Sequence, residues 1–283
     1  FTQNRRFDSA PEWIRRLGDA QQLYLAGGGY LTDLFWMGFI LQPIQYALKM
    51  KVPVISAPVG VGPFKSPSNA DEAIATFRQI KLTVRDQVSM DFCRTYGIDA
   101  ALAPDDAFAF VKNLLPSLKP PSARPRKIGV CIFNQYNQDP DLTGWWTACL
   151  RGLKAQHPEY EIEGFCFHTS LQDEFQEMTR LFSQAGLPPE QVLAPTTDFR
   201  KAAGAIRGYD LVISARFHAI ITANVFNIPS IAIAASDYYQ AKMNAARLGF
   251  ENICSPINPA SQPPEDLLNI CKSRLSSCEI KKF

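Results

Sequence analysis

Short apolar runs alternate with longer amphipathic stretches along almost the whole chain. Leu23–Ala26, Val52–Ala57, Leu82–Arg85 and Ile98–Ala103 are short runs rich in apolar residues, which read as strands. Between them the 3.6-residue period predicts a long helix from about Thr32 to Met50. It predicts further helices over Asn69–Arg78, capped by Asn69, and over Asp86–Tyr96, stopped by Gly97. Pro116, Pro120, Pro121 and Pro125 then interrupt the pattern among Ser, Lys and Arg, the composition of a semi-rigid linker over 120–126. After it the alternation restarts. Strands are expected at Lys127–Phe133, Ile162–Phe167, Val192–Ala194, Tyr209–Ser214 and Ser230–Ala234. Helices are expected at Thr143–Gln156, Leu171–Ala185 and Phe199–Ile206, from His218, over Ser236–Leu248 with Gly249 as its stop, and over Pro264–Leu275. Strand–helix alternation on both sides of a linker predicts two α/β domains, each a parallel sheet between helices, facing a cleft at the carboxyl ends of their strands.

Charge and composition narrow the function classes. The 29 basic and 27 acidic residues nearly cancel, unlike the strongly basic face of a nucleic-acid or membrane-surface binder. No run of about 18 apolar residues is present, so no stable membrane insertion is expected. The polar start, Phe1-Thr-Gln-Asn-Arg-Arg6, lacks an apolar signal core. Seven cysteines, an odd number without a Cys-x-x-Cys pair, read as reduced and structural, which points to the cytoplasm. Three histidines without helical metal spacing predict no metal site.

The densest candidate chemistry is Ser214-Ala-Arg-Phe-His218, where a strand stops and a helix opens. Alternate side chains of an extended turn point the same way, so a hydroxyl, a permanent cation and an imidazole are expected to converge beside a helix N-terminus. That is an anion site at the place where open α/β sheets bind ligands. The bland reading of the same residues is a sheet-edge arginine and a helix-capping histidine. Gly27-Gly28-Gly29 allows either close approach to a ligand or a tight strand-to-helix turn, and Asp33 either lines the site or is a first-turn helix acid. No Gly-x-Gly-x-x-Gly or Gly-Lys-Ser/Thr accompanies it. Gly60-Val-Gly62-Pro63 predicts a rigid loop, and Arg85 ends a strand as Arg216 does, with Asp86 placed to cap the next helix. Asp105-Asp106 is either an acid–base pair or a surface turn. Lys242, read as early in its helix, either answers a negative group or is solvated, and Trp145 and Trp146 read as packing.

In order and spacing these segments resemble the polysaccharide pyruvyl transferase family. The matching pieces are Leu25-Ala-Gly-Gly-Gly-Tyr-Leu-Thr-Asp33, Gly60-Val-Gly-Pro-Phe64, Val84-Arg-Asp-Gln-Val-Ser89 and Ala103-Pro-Asp-Asp-Ala-Phe108. Ile128-Gly-Val-Cys-Ile-Phe133, Asp210-Leu-Val-Ile-Ser-Ala-Arg-Phe-His-Ala-Ile-Ile221, Ile228-Pro-Ser-Ile-Ala232 and Lys242 complete them. The Arg216-Phe-His218 segment is the most specific part. The resemblance implies two Rossmann-like domains of the glycosyltransferase-B type: an N-terminal one over 1–119, the linker 120–126, and a donor-binding one over 127–283. The family's chains open with a strand and a Gly-Asn-x-Gly-Asp-like loop that this sequence does not contain, so the first domain is expected to be incomplete at its start. The resemblance implies transfer of a pyruvyl group from phosphoenolpyruvate, a co-substrate, to a sugar or glycan acceptor, with a pyruvate ketal as product and no cofactor. Arg85, Ser214, Arg216, His218 and Lys242 are the implied donor-binding residues, with His218 and Arg216 catalytic. Gly28, Gly29, Asp33, Gly62 and Asp105 are expected to line the cleft or acceptor site. The competing readings are a nucleotide-sugar glycosyltransferase of the same architecture and a non-catalytic relative that binds a glycan or another anion.

Overall fold

A computed structural model describes residues 16–117, 125–132, 140–167 and 172–280. The chain divides between Asp106 and Ala107 into two compact units. In the first, strands β1 (Leu23–Leu25), β2 (Gly28–Leu31), β3 (Val54–Val61), β4 (Lys81–Val84) and β5 (Ala100–Leu102) form one parallel sheet. Its order is β1-β3-β4-β5, and β2 lies on the same edge of β3 as β1, further along. Helices α1 (Met37–Lys49), α2 (Pro67–Phe77) and α3 (Gln87–Thr95) supply the other apolar faces. Leu31, Leu41, Ile44, Phe77, Leu82 and Val84 meet in the core of this unit.

Three local expectations change here. The glycine triplet does not open a helix: Gly28 and Leu31 pair with Val59 and Val61. The eight-residue β3 extends beyond the reach of β1 and captures the glycine segment as a second short strand. The helix therefore starts only at Met37, which leaves Asp33 in the preceding turn rather than in a helical first turn. The helix placed at Asn69 begins at Pro67 and is capped by Ser66, whose hydroxyl accepts from the Asn69 N–H. Proline at the first helical position has its φ preset for that role. Asp86 caps α3 through Ser89 as expected, and Gly97, with φ 64°, ends it.

The second unit holds a parallel sheet ordered β10-β9-β8-β6-β7. The strands are β6 (Lys127–Cys131), β7 (Glu161–Gly164), β8 (Leu211–Ser214), β9 (Ser230–Ile233) and β10 (Cys254–Ile257). The last was absent from the sequence reading, and the expected strand at Val192–Ala194 is reduced to a single bridge from Val192 to Gly164. The helices are α4 (Asp106–Leu114), α5 (Pro140–Gln156), α6 (Gln172–Ala185), α7 (Phe199–Arg207), α8 (Phe217–Val225), α9 (Asp237–Ala246) and α10 (Pro264–Ile280). The boundary lies upstream of the proline stretch because α4 packs with this unit. Phe108 stacks on Phe250 at 5.8 Å, and Phe110 meets Phe199 at 5.2 Å. Residues 118–124 of that stretch lie outside the described residues. Trp145 and Trp146 are buried packing residues, set edge to face at 5.2 Å.

Cys93, Cys131, Cys149, Cys166, Cys254 and Cys271 are free and buried. Burial pushes the Cys93 thiol up to about 11 and those of Cys166 and Cys271 up to about 12. Among the described residues no helix is long and apolar enough to cross a membrane.

Gly129 sits mid-strand in β6, and a Cβ there would lie 2.3 Å from the ring of Tyr209. That ring is fully enclosed, with its hydroxyl donating to Glu163 at 2.7 Å, so it has nowhere to turn. Gly129→Ala should therefore cost about 1–3 kcal/mol by overpacking. Gly144→Ala, in helix α5 with nothing within 4 Å, should instead gain about 0.5–1 kcal/mol. Urea unfolding midpoints of the two variants, on either side of the parent, check both signs.

Candidate functional site

In the first unit the expected residues collect at the carboxyl edge of the sheet. Arg85 directly follows β4, its N–H bonded to the Val59 carbonyl at 3.1 Å. Its guanidinium is buried and donates from Nη1 to Asp105 Oδ2 at 2.8 Å. Asp105 is thus a buried partner and not a surface turn acid. The guanidinium lies over glycine backbone: a Cβ at Gly60 would stand 3.5 Å from Arg85 Nε and 3.4 Å from the Gly29 Cα. At Gly28 a Cβ would meet the Tyr30 ring at 2.8 Å. Gly62, with φ 74°, ends β3 ahead of a cis bond to Pro63. The neighbouring turn is pinned by Thr32, which donates to the Pro63 carbonyl at 2.6 Å. Asp33 accepts from the N–H groups of Lys65 and Ser66, both at 2.7 Å. Asp33 thus shapes the loop after β3.

In the second unit the chain runs from β6 to β7 on one side and returns to β8 on the other, so the strand order reverses between β6 and β8. Cys131 is in register with Ser214, and the Ala215 N–H reaches the Cys131 carbonyl at 2.9 Å. Arg216 follows at once as the N-cap of α8. The crevice outside a reversal of this kind is where open α/β sheets take ligands, and the positive end of the α8 dipole starts there.

The three polar side chains of this turn have different surroundings. The hydroxyl of Ser214 is buried and accepts from the Arg216 N–H at 2.9 Å, so it shapes the turn. The Arg216 guanidinium donates from Nε at 2.8 Å and from Nη2 at 2.5 Å to one oxygen, Oε1 of Glu174 on α6. Only 16% of the Arg216 side chain is exposed, and Glu174 is fully buried. His218 is exposed at the second position of α8, its ring edge-on to Phe217 at 5.1 Å. The expected convergence of the three side chains is therefore loosened: two turn inward onto the protein and one faces solvent. Lys242 stands in the second turn of α9, not at its start, with Nζ 5.6 Å from the centre of the Tyr239 ring. Burial raises the Tyr239 hydroxyl, and the positive charge of Arg216 opposes that rise, which puts Tyr239 in the neighbourhood of Arg216.

Glu174 escaped the sequence reading. Burial raises its carboxyl above the usual range, and the Arg216 charge opposes the rise. Among the described residues no group of three or more His, Cys, Asp or Glu side chains is arranged to hold a metal ion.

Asp105→Ala would leave the Arg85 guanidinium buried without its carboxylate. The expected loss is about 3–5 kcal/mol of folding stability. Arg85→Met together with Asp105→Ala should recover part of it, because the remaining buried charge is gone. A double-mutant cycle by denaturant unfolding measures both.

A search of curated protein sequences finds no match. Solved structures share the fold. A UDP-GlcNAc 2-epimerase from Methanocaldococcus jannaschii superposes with a TM-score of 0.61 at 10% identity, over 93% of this chain and 73% of its own. A UDP-GlcNAc 2-epimerase from Neisseria meningitidis, solved with UDP-GlcNAc, gives 0.57 at 10% identity, over 94% and 73%. Such low identity fixes architecture alone: two parallel-sheet α/β units of the glycosyltransferase-B-like class. The family model for polysaccharide pyruvyl transferase matches residues 3–237, a span that takes in both strand-end arginines, and the chain belongs to that family.

Proposed function

We propose that the protein moves a pyruvyl group from phosphoenolpyruvate onto a sugar of a glycan or polysaccharide, forming a pyruvate ketal. The observation that carries this reading is the grip of Arg216 on a carboxylate at the strand-order reversal of the second unit. A guanidinium aimed at a carboxylate, beside a helix N-terminus, suits a donor with a carboxylate and a phosphate on one carbon. Membership of the family supports the same assignment.

The reaction needs no redox partner. A proton goes to the methylene carbon of phosphoenolpyruvate, and the C2 cation so formed is attacked by one sugar hydroxyl, which gives up its proton. Phosphate then leaves C2 with its bonding pair, and a second hydroxyl adds and releases a proton to close the ketal. Arg216 and Lys242 hold the donor's negative charges, Ser214 fixes the turn that carries Arg216, and His218 supplies the first proton. Arg85 is assigned to the donor as well. Gly28, Gly29 and Gly62, with Asp33 and Asp105 shaping their surroundings, are assigned to the acceptor side. The reaction so written uses no cofactor. A nucleotide-sugar glycosyltransferase is the second reading, favoured by the structural likeness to enzymes of UDP-GlcNAc. Thermal shifts separate the two, since a ligand of the folded state raises the melting temperature. Phosphoenolpyruvate should raise it; a shift with UDP-GlcNAc and none with phosphoenolpyruvate would favour the second reading.

Arg216→Lys keeps the charge and loses the two-pronged geometry. Charge-assisted hydrogen bonds are worth about 1.5–3 kcal/mol, so donor affinity should fall about ten- to a hundredfold by calorimetry. His218→Gln keeps hydrogen bonding without proton transfer. Turnover with a mixed panel of galactoside, glucoside and N-acetylmannosamine acceptors should drop about a hundredfold or more while donor affinity holds. Equal turnover and pH profile in parent and variant would remove His218 from the chemistry.

A further inference from the structure

The contact between Glu174 and Arg216 is built differently from a surface ion pair. Both hydrogen bonds from the guanidinium to Glu174 go to the same oxygen, Oε1, at 2.8 and 2.5 Å. The other oxygen, Oε2, is buried and has no hydrogen-bond partner among the described residues. An ionised carboxylate with one oxygen enclosed and unsolvated is costly, and a proton on that oxygen relieves the cost. Among the described residues, the groups that act on the pair are the thiols of Cys131, at the end of β6, and Cys166, just after β7, together with Tyr239 on α9, whose ring Lys242 faces at 5.6 Å. Burial pushes all three up, so they stay neutral near pH 7, and Arg216 is the charge that Glu174 answers.

We propose that Glu174 is a positioning residue that makes anion binding at Arg216 proton-linked: it aims the guanidinium, and it takes up a proton on Oε2 when an anion arrives. The proposal rests on the reading of Arg216 as the donor-anion contact. With Glu174 ionised, Arg216 is already neutralised. An incoming anion adds a second negative charge close to the buried carboxylate and raises its pKa further. Burial has already lifted that carboxyl above its ordinary value, which brings the proton uptake nearer to neutral pH. The sign follows from linkage: between the carboxyl's pKa in the free and the bound protein, each binding event takes up protons, so affinity falls as pH rises.

The test uses the full chain and two variants, Glu174→Gln, which keeps an oxygen for the fork, and Glu174→Ala, which does not. Titration calorimetry with phosphoenolpyruvate across pH 6–8, in two buffers of different ionisation enthalpy, counts protons taken up. The parent should take up more protons than Glu174→Gln, by as much as one per donor, and lose affinity by up to tenfold per pH unit relative to it. His218 and the donor phosphate are common to both proteins, so the difference isolates Glu174. Without ligand, the Arg216 Nε–H resonance should be protected in the parent and in Glu174→Gln and lose protection in Glu174→Ala. Equal proton uptake and equal pH slopes in parent and Glu174→Gln overturn the proposal. So does an Arg216 signal unmoved in Glu174→Ala. If phosphoenolpyruvate gives no heat with any of the three proteins while the resonance arm behaves as stated, the donor assignment fails. The linkage is then read with inorganic phosphate, where equal pH slopes overturn it.

Discussion

Parallel pairing of β6 with β8 is the constraint on which the second unit depends. Two strands eighty residues apart in the chain lie side by side with Cys131 opposite Ser214. A parallel neighbour cannot be reached by a tight turn, so the chain passes through β7 and the helices α5, α6 and α7 before it returns. Its return brings a strand end and a helix start to the one place where the sheet's connections diverge. Arg216 stands there because the turn is held through the hydroxyl of Ser214, and the arginine side chain is fixed from another element altogether, by Glu174 on α6.

The two units treat a strand-end arginine in the same way. Arg85 follows β4 and Arg216 follows β8, and each guanidinium is matched to a buried carboxylate from a distant segment, Asp105 or Glu174. Burying such a pair gains little net stability, because desolvation offsets much of the attraction. Its physical effect is on orientation: a long side chain with about 2 kcal/mol of rotamer entropy is held in one pose. In the first unit the guanidinium lies against Gly60, where a Cβ would already stand 3.5 Å from Arg85 Nε.

Much of this was legible wherever the cause is local. The alternation of strands and helices, the Asp86 cap, the Gly97 stop and the strand-end positions of Arg85 and Arg216 all follow from a few neighbouring residues. The sequence reading puts the start of α2 at Asn69, whereas Ser66-Pro67 is the pair that caps it, a signal equally local in the sequence. What could not be read depends on partners far along the chain. The glycine triplet became a strand because β3 was long enough to take it. Helix α4 joined the second unit because its phenylalanines meet Phe250 and Phe199. Glu174 looked like any acid on an amphipathic helix, and only the fold turns it inward toward a residue 42 positions away.

The buried thiols have a further consequence. Thiolate, not thiol, reacts with alkylating reagents, and at neutral pH a thiol pushed up to about 11 holds on the order of one thiolate in ten thousand. Labelling in the closed state is therefore suppressed twice, by exclusion of reagent and by scarcity of the reactive form. Cys93 belongs to the first unit, while Cys131, Cys149, Cys166, Cys254 and Cys271 belong to the second. The chain thus carries native clocks for local opening: the rate at which each cysteine is modified times the breathing of its own half of the molecule, with no probe introduced.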